Sequence, residues 1–129
     1  MTLEGNAETS GNIAERDRLT VQDLLEFCAQ AARLVSRGRR DYDSDEMLRL
    51  AAEALTHRIG EAAGRLSQSF QAAHGDVPWR AIRGMRNVIA HDCGRVDHAI
   101  MWNTLQHDFP RLASSLAAEV RTPVADDPP

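Results

Sequence analysis

Guanidinium, carboxamide and imidazole groups stand close together in one stretch of this chain. Between Pro78 and Asp97 lie Arg80, Arg83, Arg86, Asn87 and His91. Guanidinium is a fixed positive fork that matches phosphate oxygens, and imidazole trades protons near neutral pH. Spaced at about 100° per residue, Arg80, Arg83, Asn87 and His91 fall on one side of a helix, with Arg86 on its border. Ile82, Met85 and Ile89 form a narrow apolar stripe on the other. One face packs and the other presents polar chemistry. The same pattern also describes a solvated arginine face, with His91 as a cation favoured at a helix C-terminus.

The stretch reads as a single helix closed by a tight turn. Asp76 is the expected N-cap, Pro78 sits where the first turn tolerates a missing N–H, and Gly94 lies just past the end. From Val77 to Asp97 the net charge is +2, although the whole chain carries -4. Positive charge is thus concentrated on this element, which suits a small anionic target better than a long tracked one. All 15 basic residues are arginine, a total that by itself says little about function.

The elements that must position this stretch are helical. The chain of 129 residues, 43% hydrophobic and 26% charged, fits one soluble domain. No run is long enough to span a membrane, and the N-terminus is too polar for a signal peptide, so a cytoplasmic location is expected. Residues 1–14 and 121–129 read as disordered tails around a helical domain at 15–120. A first helix is predicted from near Asp17 to near Gly38, burying Leu24, Phe27, Cys28, Ala31, Leu34 and Val35. Arg37 to Tyr42 reads as a connection.

Asp43 and Glu46 have capping-box spacing ahead of a second helix. Its seam of Leu48, Ala51, Leu55, Ile59, Ala62, Leu66, Phe70 and Ala73 runs unbroken to His74. Glu61 lies in that region as a solvated carboxylate or as a partner for an arginine of the third helix. Asp97 caps a fourth helix with Val96, Ile100, Met101, Leu105, Phe109, Leu112 and Leu116 inward, and Pro110 predicts a kink or restart. Trp102 belongs to the core or to a subunit contact. The expected fold class is an all-α bundle of four to five helices.

Other chemistries find little support. The five histidines form no i, i+4 pair, and neither Cys-x2-Cys nor His-Glu-x-x-His occurs, so no metal site and no cofactor are expected. Gly60-Glu61-Ala62-Ala63-Gly64 lies within a helix and is no phosphate loop. There is no serine elbow. Cys93, two residues from His91, is poorly placed for a thiol–imidazole pair.

Taken together, the residues resemble the HEPN superfamily, in its HepT-like (DUF86) branch. The resemblance runs from about Arg16 to Glu119. It rests on Arg16-Asp17-Arg18-Leu19, Asp45-Glu46-Met47-Leu48, Ile59-Gly60-Glu61-Ala62-Ala63, Pro78-Trp79-Arg80, Gly84-Met85-Arg86-Asn87 and His91-Asp92. Val96-Asp97 and Trp102 through Gln106, Asp108 and Pro110 match downstream.

The resemblance implies a metal-independent endoribonuclease toxin of a type VII toxin–antitoxin system. Such a toxin acts as a homodimer paired with a minimal nucleotidyltransferase antitoxin. Arg86 and His91 match the catalytic arginine and histidine, and Asn87 the polar residue after the arginine; Arg83 and Arg80 would support phosphate binding. His91 would take the 2′-hydroxyl proton while Arg86 braces the phosphate, and His91 of a second subunit would protonate the leaving oxygen, through a face holding the third and fourth helices. Toxins of this branch carry a tyrosine two residues after the histidine, which the antitoxin modifies; this chain has Cys93 there. Direct covering of Arg86 and His91 would then replace modification. The alternative is a non-catalytic HEPN module serving as accessory subunit of a nucleotidyltransferase.

Overall fold

The structure, a computed structural model, describes residues 2–85 and 96–126, with side chains described from 15 to 85 and from 96 to 119. Among these residues it is all-α. The elements are α1 (Thr2–Val35), α2 (Arg39–Ser44), α3 (Glu46–Gly64), α4 (Gln68–Ala73), α5 (Trp79–Arg83) and α6 (His98–Asn103). A π-helical turn (Thr104–Asp108) then leads into α7 (Phe109–Asp126). No described helix is long and apolar enough to cross a membrane.

The core forms where α1 packs against α3 and α7. Val21, Leu24, Cys28, Ala31 and Leu34 line the inner face of α1 at 3-4 spacing, facing Leu55, Ile59 and Ala62 of α3 and Leu112 and Leu116 of α7. Burying each large aliphatic side chain contributes roughly 1.5–3 kcal/mol. Burial pushes the Cys28 thiol up to about 12, so it is a packed, protonated core group. Two polar links lock this packing. The buried Asp17 carboxylate accepts the Ser67 amide at 3.0 Å and its hydroxyl at 2.6 Å, and the buried Thr56 hydroxyl donates to Met101 Sδ at 3.2 Å.

Several expected boundaries move. α1 begins at Thr2, not near Asp17, and α7 reaches Asp126. Once the packed turns are formed, each further turn adds a hydrogen bond at little nucleation cost. The connection at Arg37 to Tyr42 contains the short helix α2, which follows Gly38 in the left-handed region (φ 90°) and carries an Arg39–Asp43 ion pair at 2.9 Å. Asp43 is therefore inside α2, and the N-cap of α3 is Asp45, whose carboxylate accepts the Met47 amide at 2.9 Å.

The long second helix is two. α3 ends at Gly64 and Ser67 caps α4 by accepting the Phe70 amide, so the seam breaks at residues 65–67. Ala51 and Ala73 face solvent, and Ile100 is 37% exposed rather than inward. The interruption at Pro110 takes the form of the π turn. The Phe109 amide donates to the Thr104 carbonyl, five residues back, and the helix continues past a proline that has no N–H to give. Trp102 is buried against Tyr42, ring centroids 5.2 Å apart.

Candidate active site

The approach to the Arg86 motif is built by α5. Its Trp79 is buried, and the indole Nε1 donates to the carbonyls of Gln71 (3.1 Å) and His74 (3.0 Å), so one side chain closes the end of α4 and starts α5. Val77 is buried beneath it. Two links to α7 hold the loop before α5: His74 Nε2 lies 3.0 Å from Glu119 Oε2, and the Ser115 hydroxyl donates to Asp76 at 2.7 Å. That hydroxyl holds the Asp76 carboxyl below its ordinary range. Asp76 is thus tied across to α7 and does not cap α5, whose N-cap is Pro78 with no side-chain bond.

The single predicted helix is also interrupted. Gly84 is the C-cap of α5, and helical backbone resumes at Met85. The division of faces nevertheless matches the expectation: Ile82 and Met85 are buried, and Arg80 and Arg83 are exposed. Arg83 lies over α3. A Cβ at Gly60 would stand 3.4 Å from the Ile82 carbonyl oxygen, and one at Gly64 would stand 3.8 Å from Arg83 Cδ, so α5 lies against this side of α3 with room for a methyl group and little more. Thr56, His57, Gly60, Glu61 and Arg83 line a small cleft of about 70 Å³ there. Glu61 pairs with His57 at 3.7 Å and shares that cleft with Arg83.

The other side of α5 opens onto a larger cavity of about 580 Å³, walled by Val77, Ile82 and Met85 and by Asp108, Arg111 and Leu112. Asp76, Asp108, Arg111 and Ser115 add polar groups to this mostly apolar lining. Arg86, Asn87, His91 and Cys93 lie outside the described residues, at positions 86–95. Hydrogen bonds anchor residues 97 and 98. Asp97 accepts the amides of Ala99 (3.0 Å) and Ile100 (3.2 Å), capping α6, and His98 Nδ1 lies 2.6 Å from the buried Tyr42 hydroxyl. The motif is therefore bracketed by Trp79 and Met85 on entry and by Asp97 and His98 on exit. Sequence reasoning missed Tyr42 and His98 as anchors, because no periodicity links residues 56 apart. Among the described residues no group of three or more His, Cys, Asp or Glu side chains is placed to hold a metal ion.

Comparison with known proteins gives one consistent result. A family model described as "Ribonuclease HepT-like" matches residues 24–118. A Thermococcus cleftensis protein named "Probable ribonuclease HepT" is 30% identical, over 70% of this chain and 87% of its own. A Caldanaerobacter subterraneus protein named "Putative RNase TTE0752" is 35% identical over 56% of this chain and 64% of its own. A third, "Putative RNase MJ1380" of Methanocaldococcus jannaschii, is 26% identical over 56% and 66%. No solved structure gives a significant match. The matched span takes in α5, the Arg86–His91 motif and the helices that bracket it, and the chain belongs to the HepT-like ribonuclease family.

Proposed function

We propose that this chain is an endoribonuclease that cuts RNA without a metal ion, acting as a cytoplasmic homodimer. In this reading it is the toxin of a type VII pair whose antitoxin is a minimal nucleotidyltransferase. The observation that carries the reading is membership of a ribonuclease family over a span that includes Arg86 and His91. The bracketed entry and exit of that segment support it.

The chemistry needs nothing beyond the side chains present in the sequence. RNA brings its own nucleophile, the ribose 2′-hydroxyl. His91 removes its proton, Arg86 neutralises charge growing on the phosphate oxygens, and Asn87 orients the imidazole or holds an oxygen. The new bond joins the 2′-oxygen to phosphorus, and the bond to the 5′-oxygen breaks. His91 of a second copy protonates the departing 5′-oxygen, leaving a 2′,3′-cyclic phosphate. Arg80 and Arg83 hold flanking phosphates. Acid–base assistance of this kind is worth about 10²–10⁴-fold.

The test is end analysis of RNA cut by the purified chain with chelator present. Cyclic phosphate ends are expected, with cutting abolished in His91→Ala and Arg86→Ala. Inducing the chain alone should arrest growth, whereas His91→Ala should not. If wild type and His91→Ala behave alike, the nuclease reading fails and an accessory, non-catalytic role takes its place. Cys93 where the family's tyrosine is expected makes that outcome a real alternative.

A further inference from the structure

Leu19 (53% exposed), Met47 (70%) and Leu50 (50%) are three of the four large hydrophobic side chains left exposed among the described residues. All three belong to the outer surface of the α1–α3 pair. These helices run antiparallel. Asp17 on α1 bonds Ser67, beyond the end of α3, while Leu34 near the end of α1 shares a groove with Leu48 and Leu55 of α3. On α3, Met47, Leu50, Ala51, Ala54 and Arg58 recur at 3-4 spacing, and each is exposed. On α1 and the turn that follows it, Leu19, Asp23, Glu26, Gln30, Arg33 and Arg37 form a second stripe. Between the stripes lies an open groove of about 550 Å³. The Gly60 and Gly64 side of α3, where α5 packs, points the opposite way.

Charge along the α1 stripe is polarised. Asp23 and Glu26 precede Gln30, and Arg33 and Arg37 follow it. Arg37 also makes an exposed 3.7 Å pair with Asp41 in its own chain. A stripe with opposite signs at its two ends is complementary to itself when reversed. A two-fold axis at Gln30 sets Asp23 and Glu26 of one copy against Arg37 and Arg33 of another. The same reversal carries Leu19 about 16 Å from the axis, past the end of the other copy's α1. That is the end of the face where Met47 and Leu50 stand.

We infer that this face is a self-complementary docking surface for a second copy of the chain, separate from the side that carries α5. Nucleic acid or an acidic peptide would suit Arg33, Arg37 and Arg58 but would be repelled by Asp23 and Glu26. A basic partner would meet the reverse conflict. A reversed copy satisfies both ends and covers Leu19, Met47 and Leu50. The apolar contacts supply the driving force, and the charges set direction and register. Copies joined here keep the α5 side open, so a composite-site dimer there would become part of a larger assembly.

The test is sedimentation of the full chain at low salt, with Asp23→Arg/Glu26→Arg and Arg33→Glu/Arg37→Glu alone and mixed. Each double variant carries one sign along the whole stripe. Each is expected to lose one assembly step, halving the mass, with its helical circular dichroism intact. The equimolar mixture is expected to regain the wild-type mass, which an unfolded variant cannot produce. Leu19→Arg should also lose the step. A variant that keeps the wild-type mass, a mixture that stays at the lower mass, or a wild-type chain that is monomeric at high micromolar concentration overturns the inference. Mass is read without RNA, so the result is independent of whether the chain cuts.

Discussion

The Tyr42 hydroxyl lies 2.6 Å from His98 Nδ1, joining α2 to the first residue of α6. Tyr42 is fully buried, and its ring also meets the His98 ring edge-on at 5.5 Å and Trp102 at 5.2 Å. This contact anchors the chain seven residues after His91. Tyr42→Phe keeps the ring contacts and removes only the hydroxyl. It should cost about 0.5–1.5 kcal/mol in urea unfolding, the net worth of one part-buried hydrogen bond. His98→Ala should cost a similar amount, and the double variant little more than either. Additive losses would mean that the two groups are not coupled.

Alkaline pH should unfold the protein through the same region and through the core. Burial, with Glu53 adding to it and Arg49 and Arg39 opposing, pushes Tyr42 from 10.0 up to about 12. Burial alone takes Cys28 from 9.0 to about 12. Both groups hold their protons more tightly when folded than when unfolded. Stability is then complete below pH 9, where both states are protonated, and falls as pH rises from 9 towards 12, by on the order of a few kcal/mol. Unfolding midpoints measured across this window check the slope. Cys28→Ala should flatten its lower half, while Tyr42→Phe should flatten the part above pH 10. A profile that neither variant changes would place the alkaline transition elsewhere.

The inward faces of α1 and α7 were legible because their apolar residues recur at helical spacing and nothing local competes with them. The same rule separates buried Ile82 and Met85 from exposed Arg80 and Arg83. The helix ends were harder. Asp43 and Glu46 have capping-box spacing, yet Asp43 is paired with Arg39 inside α2, and Asp45 takes the cap. Ser67, three residues after Gly64, was a readable sign of a stop and restart that an unbroken apolar seam concealed. Asp17–Ser67 and Tyr42–His98 are bonds across 50 and 56 residues, which no spacing rule reaches. Each ties a helix to a distant part of the chain.

Gly60 is a point where α3 lies against α5. An added Cβ would meet the Ile82 carbonyl oxygen at 3.4 Å, the edge of ordinary contact. Gly60→Ala should therefore fold, its better helix propensity of about 1 kcal/mol offsetting the tighter fit. Gly60→Leu has no such room and must push α5 away. It should cost about 1–3 kcal/mol and reduce RNA cutting more than that loss of folded protein explains. Thermal melts together with cleavage rates per folded molecule separate the two effects. Full activity in Gly60→Leu would show that the motif does not depend on the α3–α5 approach.

Arg80 and Arg83 put the proposed phosphate contacts within reach of a measurement that does not need catalysis. Both are exposed on α5, and Arg83 lines the cleft with Glu61. A guanidinium that displaces a counterion from single-stranded RNA contributes about 0.7 to the slope of log affinity against log salt. Arg83→Ala should lower the slope by roughly that amount and weaken binding alike for every sequence, with the rate at saturating RNA nearly unchanged. Arg80→Ala should act in the same way, and the two losses should add. His91→Ala should do the reverse, removing the rate while leaving the part of the slope that the guanidiniums set. Fluorescence anisotropy with an RNA blocked at its 2′-oxygens reads the slope free of cleavage. A slope that neither arginine changes would assign both guanidiniums to a solvated face and confine the phosphate contacts to Arg86.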